Sequence, residues 1–256
     1  MRKIDLKTPE EFKIMEEGGK ILHEVKLTLK DAAKAGVTAE EIDSLAFKLI
    51  TKYGAEPNFN KVKDYQWSTC INVNNGVVHG IPHKEIVFKD EDNISVDVGL
   101  LYKGFNTDTS ISFGINLRNT SSGKDKEKFL KVGKQAFQNA IKVIKPNNSY
   151  IYDVSKAIED TLVKAGYSPI LDLTGHGIGR TLHEEPYIPC FTSGLRIESP
   201  KIVTGMALAV EVMYCEGEPD LVKENDGWTI VTEDGKIAGL FEDTILVTEK
   251  GFKIIT

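Results

Sequence analysis

Cysteine is scarce in this chain. Its 256 residues include only Cys70, Cys190 and Cys215, and no two of them form a CxxC pair. An odd and scattered set of cysteines argues against a disulfide framework and against a thiolate zinc site. We therefore expect a protein of a reducing compartment, namely the cytoplasm.

Long apolar runs are also missing. No stretch approaches the roughly 20 apolar residues that a membrane-spanning helix needs. The N-terminal segment, MRKIDLKTPEEFKIMEEGGK, lacks the apolar centre of a signal peptide. The sequence therefore predicts no membrane partner.

Positive charge is not in excess. Lys and Arg number 32 against 38 Asp and Glu, which gives a formal net charge of −6. This balance argues against a general nucleic-acid binder, and we expect no specific DNA partner. What the chain does have is an ordinary globular composition, 41% hydrophobic and 27% charged, which supports a packed core.

Two helix-start signals lie near the N-terminus. A capping box that begins at Thr8 predicts a helix over residues 9–35, and a second one at Thr38 predicts a helix that reaches Lys52. Strand-like segments follow both helices. The apolar periodicity then predicts another helix pair over residues 127–145 and 152–164, preceded by a charged connection, SSGKDKEK.

The order of two helices followed by strands therefore occurs twice. We predict a single α+β domain, residues 1–256, built from two similar halves near residues 1–120 and 125–256. A site that carries chemistry is expected between the halves.

A predicted hairpin carries two carboxylates where apolar residues would be usual. In NISVDVGLLYKGFNTDTSISF, Asp97 and Asp108 lie on successive strands. If Tyr102 and Lys103 form the turn, the two carboxylates are directly opposite, and if Lys103 and Gly104 form it, they are offset by two. In both registers they lie on the same face of the sheet. Facing carboxylates repel one another unless a cation or a shared proton lies between them.

Two more carboxylates interrupt apolar strands, Glu211 in MALAVEVMY and Glu242 in GLFEDTILVT. One such residue usually indicates a solvated face, but four at strand centres favour a shared site. Four carboxylates and a neutral histidine carry a charge of about −4, which two divalent cations would balance. Sites rich in carboxylate and free of thiolate favour Mn, Fe(II) or Co, with Zn also accepted.

The segment LTGHGIGRTLHEEP carries two histidines, His176 and His183, seven residues apart. In a helix this spacing places both on one face, and in a strand it places them on opposite faces. The spacing alone leaves open whether both bind metal. We interpret Glu184 and Glu185 either as loop residues or as residues that support the ligands from behind them.

Together these segments resemble the type I methionine aminopeptidases, which share the pita-bread fold with aminopeptidase P and prolidase. The resemblance rests on STCINVNNGVVHGIP, DVGLLYKGFNTDTS and GHGIGRTLHEEP, in that order across essentially the whole chain. It implies an α+β pita-bread fold, with two pseudo-symmetric halves, an antiparallel sheet core and flanking helices. The short interval from Glu211 to Glu242 leaves no room for the helical insertion of the type II enzymes.

The resemblance also implies a dinuclear metal site that holds Co, Mn, Fe or Zn. Its expected ligands are Asp97, Asp108, His176, Glu211 and Glu242, of which Asp108 and Glu242 bridge the two ions.

The implied reaction is hydrolytic removal of the initiator methionine from nascent polypeptides, favoured when the second residue is small. Glu211 is expected to act as the general base. His79 and His183 are expected to be non-ligand histidines that donate hydrogen bonds to the substrate.

The expected methionine pocket departs from the family pattern in two places. Val62 stands where Tyr is common, and Leu182 stands where Phe is common. The other pocket residues mapped from the family are Phe59, Tyr65, Cys70 and Trp228. Outside the pocket, Val212 replaces a common Pro and Asp243 replaces a common His.

Two other functions compete with this interpretation. A peptidase like aminopeptidase P or prolidase would carry a large extra N-terminal domain, and a non-catalytic pita-bread binding module would lack metal ligands. We expect a monomer, and the resemblance implies ribosome contact. A lysine-rich helix segment offers either a basic patch or a solvated face, through Lys124, Lys126, Lys128, Lys131 and Lys134.

Overall fold

The computed structural model describes residues 4–256, so the first three residues of the predicted domain lie outside it. Within this range the chain forms helices that flank antiparallel sheets. The α-helices are α1 (Pro9–Ala32), α2 (Ala39–Lys52), α3 (Ser121–Lys142) and α4 (Ile151–Lys164). Two short 3₁₀ turns lie at Phe59–Lys61 and Arg196–Glu198.

Thirteen strands are present in the described range. They are β1 (Glu56–Pro57), β2 (Thr69–Val73), β3 (Gly76–Val78), β4 (Asn93–Tyr102), β5 (Phe105–Gly114), β6 (Ser168–Pro169), β7 (Thr174–Gly177), β8 (Glu184–Pro189), β9 (Ala207–Cys215), β10 (Leu221–Lys223), β11 (Ile230–Thr232), β12 (Ala238–Thr248) and β13 (Gly251–Ile254).

Both predicted capping boxes near the N-terminus are confirmed. Thr8 accepts a hydrogen bond from the backbone N–H of Glu11, and the Glu11 carboxylate accepts one from the backbone N–H of Thr8. Thr38 and Glu41 repeat the arrangement at α2. Helix α1 ends at Ala32, three residues earlier than predicted, because the chain turns away there to begin the connection to α2.

The start of α3 corrects a prediction. The charged segment 121–128 is not a connection between halves but the first two turns of α3, which begins at Ser121. The Thr120 hydroxyl caps the helix by accepting from the backbone N–H of Gly123 at 3.1 Å. Its lysines and acids are good helix formers, and most of them lie exposed on the solvent side.

The main sheet has the strand order β1-β4-β5-β12-β9-β7-β8, and β2, β6 and β13 pair with β4, β9 and β12. Strands β10, β11 and β3 form a separate small sheet. Because β5 pairs with β12, the hairpin of the first half lies beside the strands of the second. This order agrees with the expected two halves, which stay a prediction.

The turn between β4 and β5 settles the register of the hairpin. Lys103 and Gly104 form the two-residue loop, and both have positive φ, as a type I′ turn requires. Asp97 is therefore opposite Ser110, and the two carboxylates are offset by two residues. Of the two predicted registers, this is the second.

The helices and the carboxylates lie on opposite faces of the sheet. Val96 and Val98 pack in the apolar core that includes α1 and α2, and Val210 and Val212 pack in the core that includes α3 and α4. Strand alternation therefore turns Asp97 and Glu211 to the other face. No helix within residues 4–256 combines the length and the apolar character needed to cross a membrane.

Candidate active site

One cavity gathers every residue that the sequence predicts for the site. It opens on the sheet face opposite the helices, and Val78 completes its wall. The thirteen predicted residues that line it are Phe59, Val62, Tyr65, Cys70, His79, Asp97, Asp108, His176, Leu182, His183, Glu211, Trp228 and Glu242.

Three side chains form the centre of the polar wall. Asp108 on β5, His176 on β7 and Glu242 on β12 each offer one ligand atom, and these atoms all lie within 4.8 Å of one another. Glu211 is the direct strand partner of Glu242, and its Oε1 lies 3.5 Å from Nε2 of His176. Asp97 lines the same cavity but lies outside this closest set of three.

The backbone fixes the orientation of the His176 ring. Its Nδ1 lies 2.8 Å from the carbonyl oxygen of Gly177. A proton on Nδ1 donates to this carbonyl, which leaves the Nε2 lone pair directed at the carboxylates. Burial, and then the neighbouring His183, lower the pKa of His176 to about 3. The ring is therefore neutral at pH 7, as a metal ligand must be.

Burial raises the pKa values of all four carboxylates, and neighbouring carboxylates raise three of them further. Burial raises the pKa of Asp97 to about 8. Burial, and then neighbouring carboxylates, also raise the pKa values of Asp108, Glu211 and Glu242 well above the usual range. Among the described residues, Asp97 Oδ1 and Glu242 Oε1 have no hydrogen-bond partner, and no lysine or arginine lines the cavity.

Such a cluster fits divalent cations. Buried carboxylates without hydrogen-bond donors are costly unless a cation compensates them. The ligand atoms are carboxylate oxygens and one imidazole nitrogen, the set that Mn, Fe(II), Co and Zn accept. The residues present therefore fit the metal chemistry that the sequence predicts.

The two remaining histidines of the cavity stand outside the close ligand set. The His183 ring centroid lies 4.4 Å from that of His176, and His79 packs edge-on against Trp228 with ring centroids 6.3 Å apart. Burial lowers the pKa values of both His79 and His183, so both are neutral at pH 7. A neutral imidazole offers one N–H donor, which suits hydrogen bonding to a substrate.

His79 has an unusual backbone conformation. Its φ of 58° lies in the left-handed region, which non-glycine residues rarely adopt. The following Gly80 makes a close approach to β2, because a Cβ there would lie 2.1 Å from the carbonyl oxygen of Ile71. The HGIP segment thus presents the imidazole to the cavity at the cost of local strain.

An apolar pocket adjoins the polar wall. Phe59, Tyr65 and Cys70 are buried there together with Ile81. Trp228 packs edge-on against Tyr65, with ring centroids 5.1 Å apart. Around them pack the half-buried side chains of Trp67, Leu182 and Trp228.

Sequence reasoning missed several residues of this pocket. Val78, Trp67 and Ile81 were not predicted, although Val78 precedes the HGIP motif and Ile81 lies within it. Their proximity to His79 was the available signal. Val62, which was predicted, lies at the rim with a side chain that is 37% exposed.

The interpretation of Glu184 and Glu185 as loop residues is wrong. Both belong to β8. The Glu184 carboxylate accepts hydrogen bonds from the Lys7 ammonium and from the backbone N–H of Thr181. Lys7 is 177 residues away in sequence, so no local pattern could have indicated this contact.

Comparison with known proteins agrees with this geometry. Residues 13–249 match Metallopeptidase family M24. The methionine aminopeptidase of Clostridium perfringens is 36% identical over 253 residues, which are 99% of this chain and 98% of that protein. Methionine aminopeptidase 1 of Bacillus subtilis is 36% identical over 250 residues, 98% of both chains.

Solved structures give the same relationship. The methionine aminopeptidase of Thermotoga maritima superposes with a TM-score of 0.93 at 37% identity and 99% coverage of both chains. The prolidase of Pyrococcus furiosus, 20% identical, superposes with a TM-score of 0.73 over 98% of this chain and 65% of that one, which supports the shared fold. This chain therefore belongs to metallopeptidase family M24 and, within it, to the methionine aminopeptidases.

Proposed function

We propose that this protein uses two divalent ions to hydrolyse the first peptide bond of polypeptides that begin with methionine. The observation that carries the proposal is the convergence of Asp108, His176 and Glu242 beside a closed apolar pocket. Such a pocket accepts one apolar side chain, and the polar wall adjoins it.

Five residues would hold the ions, which are Co, Mn, Fe or Zn. Asp97, Asp108, Glu211 and Glu242 would supply carboxylate oxygens, and His176 would supply an imidazole nitrogen. The two carboxylate oxygens without partners, on Asp97 and Glu242, support this assignment. When bound, such ions polarise a carbonyl group and lower the pKa of water, which is the chemistry of peptide hydrolysis.

Glu211 is the proposed general base. Its carboxylate lines the cavity and its side chain is partly open to it, with 12% of its surface exposed. It takes a proton from the attacking water and later delivers it to the leaving amine. Glu211 lies opposite Glu242 on the neighbouring strand, so both carboxylates belong to the same polar wall.

The two neutral histidines are the proposed hydrogen-bond donors. His183 donates to the carbonyl oxygen of the scissile bond as negative charge develops there, and His79 donates to the peptide nitrogen. Burial lowers the pKa values of both rings, so at pH 7 each is neutral and offers one N–H donor.

The apolar pocket would hold the methionine side chain. Tyr65 and Trp228 supply aromatic edges and faces, which make favourable contacts with a thioether sulfur. Burial raises the pKa of the Cys70 thiol well above its usual range, so Cys70 acts there as a small neutral wall. The preference for a small second residue is proposed from the resemblance to the methionine aminopeptidases alone.

We further propose that the protein works as a cytoplasmic monomer on nascent polypeptides, in contact with the ribosome. Four lysines of α3 are exposed and available for such contact, whereas Lys126 is half-buried and donates to the carbonyl oxygen of Glu91. The exposed lysines are Lys124, Lys128, Lys131 and Lys134. Cosedimentation with ribosomes, compared between the chain and a variant with these four lysines changed to Glu, tests the contact.

A peptide series tests the proposed activity. The metal-loaded enzyme should release methionine from Met-Ala-Ser, more slowly from Met-Leu-Ser, and nothing from Ala-Pro-Ser. Faster cleavage of Ala-Pro-Ser would point to a proline-specific peptidase. No cleavage of any peptide, together with no metal uptake, would favour a binding module.

A further inference from the structure

We propose that Lys7 is a positioning residue for the reaction. It forms a buried ion pair with Glu184, and this pair fixes the loop that presents His183 to the substrate. The inference rests on the proposed function of His183 as a hydrogen-bond donor. It assigns a role to the N-terminal segment, whose residues from Ile4 onward contribute no side chain to the cavity.

The loop between β7 and β8, residues 178–183, carries two cavity residues but no regular structure of its own. At its start, Asn106 holds the Gly179 carbonyl oxygen through its backbone N–H at 2.7 Å and its side-chain amide at 2.9 Å. Near its end, the Thr181 hydroxyl donates to the carbonyl oxygen of His183 at 3.0 Å. The position of His183 thus depends on what holds the end of the loop.

The Glu184 carboxylate supplies that support with both of its oxygens. Oε1 accepts from the backbone N–H of Thr181 at 3.0 Å, and Oε2 accepts from the Lys7 ammonium. Because Thr181 and Glu184 flank the segment that holds Leu182 and His183, this carboxylate closes the loop into a fixed ring. A shift of Glu184 would carry His183 with it.

Lys7 is itself fixed at both ends. Its backbone N–H donates to the carbonyl oxygen of Gly205 at 2.8 Å, just before β9. Its ammonium also donates to the carbonyl oxygen of Asp5 at 3.0 Å. Its stem passes Gly179 so closely that a Cβ there would lie 2.2 Å from Lys7 Cε. The side chain therefore has one position from which it can reach Glu184.

The Lys7–Glu184 ion pair is buried, which distinguishes it from the other ion pairs between the loop and the N-terminal region. The side chains of Lys7 and Glu184 are 1% and 9% exposed. Removing one member of a buried pair leaves the other charge uncompensated, so the remaining side chain moves towards water. That movement would displace the loop and the His183 ring.

A second connection between the same two segments provides a matched control. Arg180, in the loop, pairs with Asp5 and Glu11 of the N-terminal region, but its side chain is 46% exposed. Exposed ion pairs contribute little. Arg180→Met should therefore leave kcat within about twofold of the wild type, although it breaks two contacts between loop and N-terminus.

The test compares kcat and KM of metal-loaded enzymes on Met-Ala-Ser at 25 °C. Lys7→Met keeps the apolar stem and removes the charge. It should lower kcat by roughly 10–100-fold, the usual effect of a small misplacement of a catalytic group, with KM and bound metal nearly unchanged. In a His183→Ala background the same change should lower kcat by less than about twofold, because Lys7 acts through His183.

A purely structural role would give a different pattern. Lys7→Met would then lower the melting temperature but leave kcat at 25 °C unchanged, or its effect would persist in full without His183. Either result overturns the proposal, as does an equal loss in Arg180→Met. An inactive wild type overturns the proposed function instead.

A second variant covers the case in which Lys7→Met does not fold. Glu184→Gln removes the negative charge but keeps an oxygen that can accept from the Thr181 N–H. It should show the same loss of kcat with unchanged metal content, and the loss should vanish in the His183→Ala background. Wild-type kcat in Glu184→Gln would contradict the proposal.

Discussion

At the scale of single residues, two histidines of one short segment have different surroundings. His176 lies in β7 with its Nδ1 held by a backbone carbonyl and its other nitrogen directed at Glu211. His183 lies in the loop after it, outside the three ligand atoms that come closest together. The seven-residue spacing left their roles open, and the backbone around each ring distinguishes them.

Alanine substitutions should separate these roles. His176→Ala should lose one ion and the activity together, because a ligand is missing. His183→Ala should keep both ions and lower kcat by roughly 10²–10³-fold, the usual cost of one oxyanion donor. Elemental analysis of the two purified variants measures the difference. Metal loss in His183→Ala with full metal in His176→Ala would mean that the assignment is reversed.

The methionine pocket offers a second residue-scale prediction. Leu182 and Val62 stand where larger aromatic residues are common in the family, and Leu182 packs against the buried pocket residues. We expect a wider pocket that accepts norleucine or leucine at the first position. Leu182→Phe should raise the preference for Met-Ala-Ser over Leu-Ala-Ser by about tenfold in kcat/KM, the effect of about one or two methylene groups of fit. An unchanged ratio would show that residue 182 does not set the pocket width.

At the scale of secondary-structure elements, a buried lysine joins α1 to the strands that carry the ligands. The Lys26 ammonium donates to the Thr109 hydroxyl at 2.9 Å and to Asp243 at 2.6 Å. Thr109 follows Asp108, and Asp243 follows Glu242, so this pair lies directly behind the two expected bridging ligands. The Asp that replaces a common family His at position 243 thus has a partner of opposite charge.

Removing that lysine should destabilise the fold. Lys26→Met leaves the half-buried Asp243 carboxylate with only the Thr109 and Thr256 hydroxyls as partners, which should cost about 1–3 kcal/mol. Urea unfolding measures the loss. Lys103→Met, which breaks an exposed pair with Glu17, should change the free energy of unfolding by less than about 1 kcal/mol. Equal losses in both variants would contradict the role of burial.

A secondary-structure element could be predicted from the sequence where interactions between neighbouring residues determine it. Capping boxes and the β4–β5 hairpin rest on neighbouring residues, and the sequence predicted them. Only the observed turn at Lys103 and Gly104 chose between the two registers. The start of α3 was missed because charged residues at 121–128 suit a connection as well as a solvated helix. The contacts of Lys7 and Lys26 join distant segments, which no local pattern reveals.

At the scale of the whole molecule, the fold brings four carboxylates together on the sheet face that the helices leave free. The ligand and histidine positions could be named from sequence because most stand in distinctive motifs, and the pocket residues Phe59, Val62, Tyr65 and Trp228 were named from the family resemblance. Val78 and Ile81 adjoin His79 in sequence, but an apolar side chain there is equally typical of an ordinary core, so the packing shows that they and Trp67 belong to the site. The four carboxylates of the cavity thus repel one another when they are ionised, and a bound cation would relieve that repulsion.

This repulsion predicts an unusual pH dependence for the metal-free protein. The pKa of Asp97 is raised to about 8, and the other three carboxyl pKa values are raised as well. Between pH 4 and 8 these four carboxyl groups therefore bind more protons in the folded state than in the unfolded state, and their contribution to stability falls as pH rises through this window. The lowered pKa values of His79, His176 and His183 act in the opposite direction below about pH 6.5.

Thermal unfolding at pH 5.5 and pH 8 measures the effect. The chelated protein should be less stable at pH 8, by on the order of 1–3 kcal/mol. Addition of Mn²⁺ or Co²⁺ should remove most of the difference, because the ions favour ionised carboxylates. Greater stability of the chelated protein at pH 8 than at pH 5.5 would contradict the described carboxylate cluster.

Metal ions held by these carboxylates and His176 should make the chain active as a methionine aminopeptidase. The most direct measurement is methionine release from Met-Ala-Ser by the chelated protein during titration with Mn²⁺ or Co²⁺. We predict no release at first, a rise that saturates as ions bind, and no recovery in Asp108→Asn at any ion concentration. Methionine release by the fully chelated protein, or full activity of Asp108→Asn, would contradict the claim.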